Sequence, residues 1–133
     1  MQLKETITAQ IDSRPPVAIG HVRLTVSDVS HATDYFVKLG LRYITQSQTL
    51  AVLELRGGTH LVLRATDQLI APGTNAPFDL MVDDIATTRR AYEELGLTPS
   101  EIKTGRIHSS FTLTGPDGYL IDVTSSHTSG RVV

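Results

Sequence analysis

An internal repeat constrains the fold of this chain more than any other feature of its sequence. Val26-Ser27-Asp28-Val29 is followed 56 residues later by Val82-Asp83-Asp84-Ile85, and Leu39-Gly40-Leu41 is followed at the same spacing by Leu95-Gly96-Leu97. Two further matches keep this spacing, namely Leu24 with Leu80 and Phe36 with Tyr92. Several matches at one spacing indicate a duplicated structural unit.

Both copies begin with a predicted strand that leads into a helix. Apolar and polar side chains alternate in residues 21–26, and residues 77–82 follow a similar pattern, which is typical of a strand with one buried face. Each helix has residues suited to cap its start and a glycine suited to end it: Asp28 or Ser30 with Gly40 in the first copy, and Asp83 or Asp84 with Gly96 in the second.

Three strands are predicted after each helix. They cover residues 42–46, 50–55 and 60–64 in the first copy, and residues 99–103, 107–114 and 119–124 in the second. Gly57-Gly58 and Gly115-Pro116-Asp117-Gly118 supply the hairpin turns. The pattern therefore predicts an α+β fold made of two tandem βαβββ modules.

The repeat also predicts how the chain is divided. We expect an N-terminal arm and then one domain over residues 18–133, because both copies and their connection fall within that range. The predicted segments are the arm at 1–17, the first module at 18–66, a linker at 67–76, the second module at 77–125 and a tail at 126–133.

Composition excludes several classes of function. The 133 residues include no cysteine, which removes disulfides, thiolate zinc sites and a cysteine nucleophile. The net charge of −2 and the lack of a basic stripe argue against nucleic acid as a partner. No apolar run approaches the roughly 20 residues that cross a bilayer, and residues 1–10 do not have the pattern of a signal peptide. We therefore expect a cytoplasmic protein.

The order of these segments resembles the vicinal oxygen chelate superfamily, which includes glyoxalase I, bleomycin-resistance proteins, fosfomycin-resistance enzymes and extradiol dioxygenases. The resemblance covers roughly residues 18–125 and rests on residues 20–26, 36–41, 78–84 and 115–123. Gly115 stands where the turn motif of the superfamily, Asp-Pro-Asp-Gly, has its first aspartate. The resemblance implies a curved mixed sheet around a cleft, with the helices on its outer face.

The resemblance also implies positions for metal ligands on the first and last strands of each module. These positions fall on His21, Val62, Pro77 and Asp122, of which only His21 and Asp122 have side chains that bind metal. Catalytic divalent sites generally use three protein ligands and an open position. We therefore predict no complete inherited metal site. If Zn, Ni, Mn or Fe is bound, His21 and Asp122 are its expected ligands, with His60 as a third ligand in a site assembled from two chains.

Strand alternation predicts which side chains face the cleft. If the apolar residues of the first strand pack on the helix, then His21 and Arg23 point the other way. The predicted cleft residues are His21 and Asp122 as catalytic groups, and Arg23, His60, Asp79, Met81 and Phe111 as substrate-binding groups. Phe111 is included because pairing across the 115–118 turn places it opposite Asp122, provided that no bulge shifts the register.

These residue types suggest roles but leave alternatives open. Arg23 is suited to bind a carboxylate with two hydrogen bonds, but a structural salt bridge to Asp79 or Asp122 is an equal alternative. His21 or His60 could transfer a proton near neutral pH. The other histidines are weaker candidates: His31 on the first helix, His108 on a strand of uncertain register, and His127 in a Ser-Ser-His tail that resembles some members of the superfamily.

Three functions are compatible with this sequence. The first is binding of a small polar or anionic molecule without a metal, because the chain has no tryptophan and only seven other aromatic residues to stack on a large planar ligand. The second is a metal-dependent lyase, isomerase or dioxygenase with a non-standard ligand set. The third is a structural module that dimerises through strand edges. We also predict a homodimer, because sheet edges need cover and two-module members of the superfamily commonly dimerise.

Overall fold

The computed structural model describes residues 11–133, so residues 1–10 of the predicted arm lie outside the described residues. Residues 11–20 contain no helix or strand. The first module consists of β1 (His21–Val26), α1 (Val29–Leu39), β2 (Arg42–Gln46), β3 (Leu50–Glu54) and β4 (His60–Ala65). The second consists of β5 (Leu80–Val82), α2 (Ile85–Glu94), β6 (Lys103–Thr104), β7 (Ser109–Thr114) and β8 (Leu120–Ser125).

Each module forms its own four-stranded sheet, and the two sheets have the same topology. The strand order is β1-β4-β3-β2 in the first and β5-β8-β7-β6 in the second. The first strand of each module pairs in parallel with the last strand, and the other pairs are antiparallel. The predicted α+β fold of two βαβββ modules is confirmed, with two open, curved sheets and the helices packed on one face of them.

Local sequence signals explain where the helices begin and end. The carboxylate of Asp28 accepts a hydrogen bond from the backbone N–H of His31 at 3.0 Å, and Asp84 accepts one from Thr87 at the same distance. Both aspartates are therefore the caps of their helices, because each accepts from an N–H group that has no partner within the helix. Gly40, at φ 117°, ends α1 in the left-handed region.

The core lies between the helices and one face of the sheets. Helix α1 buries Val29, Ala32, Thr33, Phe36 and Leu39, whereas Tyr92 is the buried residue of α2. On the strands, the inward residues include Leu61, Leu63, Ile121 and Val123, all fully buried. This arrangement follows the period-two alternation of the strands and leaves the opposite face of each sheet open.

The two modules contact one another through equivalent positions. The backbone N–H of Ser27, just after β1, donates to Asp117 in the β7–β8 turn at 2.9 Å. In the other direction, Arg56 in the β3–β4 turn makes two hydrogen bonds, of 3.0 and 3.2 Å, to Asp83 just after β5. Ser27 and Asp83 are separated by the repeat spacing of 56 residues. The end of each first strand therefore contacts the turn of the other module.

Three strands of the second module, β5, β6 and β7, are shorter than predicted, and β7 begins at Ser109 rather than at residue 107. Residues 99–103 are predicted as a strand, but β6 is Lys103–Thr104. The guanidinium of Arg89 on α2 donates to the carbonyl oxygens of Pro99 and Ser100, at 3.1 and 2.7 Å. Because a side chain binds these carbonyls, the segment makes fewer of the backbone hydrogen bonds that define a strand. Strand β5 likewise begins only at Leu80.

The predicted register of the last hairpin is wrong by one residue. Phe111 is paired with Val123, not Asp122, and Thr112 is the partner of Asp122. The turn closes with the N–H of Gly115 bonded to the carbonyl of Tyr119, so its loop has one residue more than predicted. Because one residue of slip reverses the face of every side chain, Phe111 points into the core rather than to the open face. It is 1% exposed there.

Within residues 11–133, no helix has the length and apolar character needed to cross a membrane.

Candidate functional site

The open face of the first sheet carries a row of four polar side chains across all its strands. His21 on β1 is the Cα partner of His60 on β4, His60 is the partner of Glu54 on β3, and Glu54 is the partner of Arg42 on β2. The row lies on the open face because the neighbouring residues in these strands, among them Leu61 and Leu53, are buried in the core.

Glu54 links this row together. Its Oε1 accepts a hydrogen bond from Nη1 of Arg42 at 2.9 Å, and its Oε2 lies 2.9 Å from Nε2 of His60. The side chain of Glu54 is 23% exposed and that of His60 is 34% exposed, so this contact is partly shielded from water. When the ring is neutral and Nε2–H donates to the carboxylate, Nδ1 of His60 carries the free lone pair.

The two predicted site histidines lie side by side. The ring centroids of His21 and His60 are 6.0 Å apart, with the ring planes tilted by 49°. His21 is exposed, whereas His60 is held by Glu54. The pair therefore presents one fixed and one freer imidazole, which can donate hydrogen bonds to a polar molecule or accept them from it.

Arg23 lies two residues beyond His21 on the same strand and the same face. It is exposed, and its Cα partner is Val62 on β4. The alternative of a salt bridge to Asp79 or Asp122 is not observed, since no ion pair of Arg23 occurs in the part of the chain that the structure describes. Its guanidinium is therefore available to bind a carboxylate or phosphate with two parallel hydrogen bonds.

The second sheet carries a different set of predicted site residues. Asp122 is exposed on β8 and accepts a hydrogen bond from Oγ1 of Thr112 at 2.7 Å. Met81 on β5 is 43% exposed, and Asp79 is exposed just before that strand. No hydrogen bond or ion pair among residues 11–133 joins this set to His21.

Phe111 does not belong to either open face. Its ring contacts Tyr92 of α2 edge-to-face, with centroids 6.1 Å apart. It is therefore a core residue, placed there by the longer turn described above.

Sequence reasoning missed Arg42 and Glu54. Both lie at the ends of predicted strands, where alternation was not applied. The signal was present, because Ala51 and Leu53 are apolar and Glu54 is the next residue on the opposite face of the same strand. Their pairing with His60 depends on the register of three strands.

The residues of this chain do not fit the metal site that the superfamily resemblance implies. Two of the four ligand positions hold Val62 and Pro77, whose side chains have no donor atom. Among residues 11–133, no group of three or more histidine, aspartate or glutamate side chains is arranged to hold a metal ion. Both oxygens of Glu54 are already engaged by Arg42 and His60.

Comparisons with solved structures identify the class of fold. Lactoylglutathione lyase from Agrobacterium tumefaciens matches with a TM-score of 0.70 and 18% identity, over 89% of this chain and 100% of that one. A glyoxalase/bleomycin resistance protein/dioxygenase from Alicyclobacillus acidocaldarius matches with a TM-score of 0.68 and 18% identity, over 87% and 96%. The bleomycin resistance determinant of transposon Tn5 matches with a TM-score of 0.68 and 18% identity, over 83% and 98%.

The chain therefore has the vicinal oxygen chelate fold, as the sequence resemblance predicted. At 18% identity these likenesses establish the fold and leave the ligand open. No protein-family model and no curated protein matches the sequence.

Proposed function

We propose that this protein binds a small polar or anionic molecule on the open face of its first sheet, without a complete inherited metal site. The observation that carries the proposal is Arg23, an exposed guanidinium without a carboxylate partner in the described residues, on the same strand face as His21. Arg23 anchors a carboxylate or phosphate, and His21 and His60 supply further hydrogen bonds.

The composition of this face favours a small ligand over a large planar one. Large planar molecules bind mainly through aromatic walls and apolar area. The aromatic residues of the core, Phe36, Phe111, Tyr92 and Tyr119, are buried and cannot form such walls. The polar row across the four strands instead suits a compact molecule with several hydrogen-bonding groups.

We further propose that the protein acts as a homodimer in which a second copy covers this open face. Apolar side chains that a monomer leaves exposed lie on and beside the sheets, including Ile19, Ile44 and Met81, which are 65%, 45% and 43% exposed. A second copy of the chain that packs on the sheets would remove these side chains from water. Light scattering at micromolar concentration tests this, and a monomer contradicts it.

The test of the binding proposal compares two arginine variants. Succinate and citrate are titrated into the protein by calorimetry, and the strongest binder is carried forward. Arg23→Ala is expected to weaken binding at least about 10-fold, because a hydrogen-bonded charge contact is worth about 1.5–3 kcal/mol. Arg90→Ala, which removes the same charge from an exposed position on α2, is expected to change binding less than about 2-fold.

Two results would contradict the proposal. One is an unchanged affinity in Arg23→Ala, and the other is an equal loss in both variants, which would mean that only net charge matters. If neither compound binds in a saturable way, the same comparison is made with a broader set of small carboxylates, and failure across that set ends the proposal.

A divalent-metal-dependent lyase, isomerase or dioxygenase is the second candidate. The observation that favours it is the adjacency of His21 and His60, since two imidazoles are common ligands of zinc, nickel, manganese and iron. Zn, Ni, Mn and Fe are titrated into the untagged protein and into His21→Ala. A stoichiometric, tightly bound metal that is lost in His21→Ala would replace the metal-free proposal with this one.

A further inference from the structure

A groove at the outer edge of the second sheet carries a separate group of basic side chains. It lies along the hairpin between β6 and β7, has a volume of about 370 Å³, and is lined by Lys103, Arg106, Ile107 and His108 among others. The hairpin is tight, because the N–H of Gly105 donates to the carbonyl of His108 at 2.9 Å. Arg106 and Ile107 therefore project from its tip.

Two histidines meet beside this groove. The ring centroids of His108 and His127 are 5.2 Å apart, with the ring planes tilted by 35°. Nδ1 of His127 lies 3.2 Å from the carbonyl oxygen of Ser125, so Nδ1 carries the proton and Nε2 is free when the ring is neutral. The C-terminal tail thus brings a second imidazole to the hairpin.

His108 has a polar atom that the fold leaves without a partner. Its Nδ1 is buried and makes no hydrogen bond to any of residues 11–133. Buried polar atoms are normally hydrogen-bonded, so this nitrogen has the capacity to pair with a bound group or water. His108 lines the groove, which gives such a group a route to this residue.

The charged side chains around His108 indicate whether this groove attracts a cation or an anion. Lys103 and Arg106 line the groove, and Nη2 of Arg131 lies 3.4 Å from the carbonyl oxygen of His127. Within the described residues none of these three cations is in a salt bridge. A cation brought to the histidine pair would meet this positive potential, whereas an anion would be attracted by it.

We propose that the β6–β7 groove is an anion site that binds a small phosphate or carboxylate group. Lys103 and Arg106 supply the charge, and His108, which lines the groove beside them, supplies a hydrogen bond. Ile107 is 75% exposed and lines the same groove, so an anion attached to an apolar body gains additional contact. This site is on β6, β7 and the tail, whereas the site proposed above is on β1 and β4 of the other sheet.

The experiment follows the imidazole nitrogens by NMR while inorganic phosphate or phenyl phosphate is added. The signals of His108 and His127 are expected to shift in a saturable way, and those of His21 and His60 report the other site separately. Phenyl phosphate is expected to bind at least about 3-fold more tightly than inorganic phosphate, because its ring contacts Ile107. The double variant Lys103→Ala/Arg106→Ala is expected to weaken phosphate binding at least about 10-fold.

Matched controls separate a built site from general charge. Lys38 and Arg90 are exposed on the two helices, and Lys38→Ala/Arg90→Ala removes the same charge elsewhere. It is expected to change the phosphate affinity less than about 2-fold. Both pairs consist of exposed residues, so unfolding is not expected, and circular dichroism confirms this.

Three outcomes would overturn the proposal. One is an equal loss of affinity in both double variants. A second is a shift confined to His21 and His60, which would place the anion at the first sheet instead and leave the proposed function intact. The third is the lack of any saturable shift of His108 and His127 with either phosphate.

Discussion

Helix α1 of the first module buries five side chains, whereas α2 of the second module buries Tyr92. Equivalent positions show the difference directly: Leu39 is 7% exposed and Leu95, 56 residues later, is 46% exposed. The strands differ in the same direction, since β1 has six residues and β5 has three. The two modules therefore share their topology and helix caps but differ in packing.

Their open faces differ as well. The first sheet carries His21 and Arg23 on its first strand, whereas the second carries Met81 there and Asp122 on its last strand. A duplicated unit needs its helix caps, turns and strand alternation to keep its topology, but these leave the side chains of the open face free to change. The first module therefore buries more of its helix, and its open face carries more of the histidine and arginine side chains.

The largest expected effect compares the two leucines. Leu39→Ala is expected to lower the free energy of unfolding by about 2–4 kcal/mol, because a buried leucine loses transfer energy and leaves a cavity. Leu95→Ala is expected to cost about 1 kcal/mol or less, since nearly half of that side chain is exposed. Urea denaturation followed by circular dichroism measures both, and equal losses would mean that the helices contribute equally.

A second comparison uses the glycines that end the two hairpin turns. Gly58 and Gly118 have φ angles of 90° and 77°, so alanine is strained at either position. A Cβ at Gly58 would meet open space, so Gly58→Ala is expected to lower the free energy of unfolding by about 1 kcal/mol. A Cβ at Gly118 would lie 2.9 Å from Cα of Pro72, so Gly118→Ala must also move backbone.

Gly118→Ala is accordingly expected to cost at least about 2 kcal/mol, the sum of left-handed strain and displacement of residues 72–73. The same denaturation experiment gives the two values. If Gly118→Ala lowers the free energy of unfolding no more than Gly58→Ala does, this expectation is wrong, and residues 72–73 move aside at little cost.

A third comparison uses one substitution at two tyrosines. The hydroxyl of Tyr92 donates to the carbonyl of Leu39 at 2.7 Å, so Tyr92→Phe is expected to cost about 1–2 kcal/mol. The hydroxyl of Tyr35 is buried and makes no hydrogen bond to any of residues 11–133. Tyr35→Phe is therefore expected to be neutral or to stabilise by up to about 1 kcal/mol. A cost for Tyr92→Phe with none for Tyr35→Phe confirms the contrast, and a cost for Tyr35→Phe contradicts it.

A further difference appears in alkaline solution. Burial, together with repulsion from Tyr92, raises the pKa of Tyr35 to about 12. The unfolded chain releases this proton near pH 10. Between pH 10 and 12 the folded state therefore binds more protons than the unfolded state, and stability falls as the pH rises. The contribution of Tyr35 to stability is complete below pH 10 and is lost as the pH rises towards 12. Tyr35→Phe should therefore lose less stability than wild type over this range.

Local sequence signals predicted much of the fold. Asp28 and Asp84 are among the predicted caps, Gly40 ends α1, and the strands of the first module begin and end within one residue of their predicted limits. These features depend on neighbours within a few residues along the chain, so a single sequence contains them. The predicted strand over residues 99–103 is wrong before Lys103, where Arg89, on a different element, binds the carbonyls of Pro99 and Ser100.

The candidate site was predicted only in part, for a reason of geometry. Alternation places His21, Arg23 and His60 on one face of the sheet, but it does not give the residue opposite each of them. The contact of His60 with Glu54 requires the β3–β4 register, and the contact of Glu54 with Arg42 requires the β2–β3 register. Phe111 shows the same dependence, since one additional turn residue moved it from the open face to the core.

The sequence alone determined a duplicated strand–helix unit, its caps and the polar side chains available to one face, because these follow from short-range spacing. The tertiary structure alone decided which of those side chains meet: it joined Arg42, Glu54 and His60 into one row, and brought His108, just before β7, to His127, just after the paired strand β8. Such contacts depend on turn lengths and on packing between distant elements, and a period-two pattern does not contain that information.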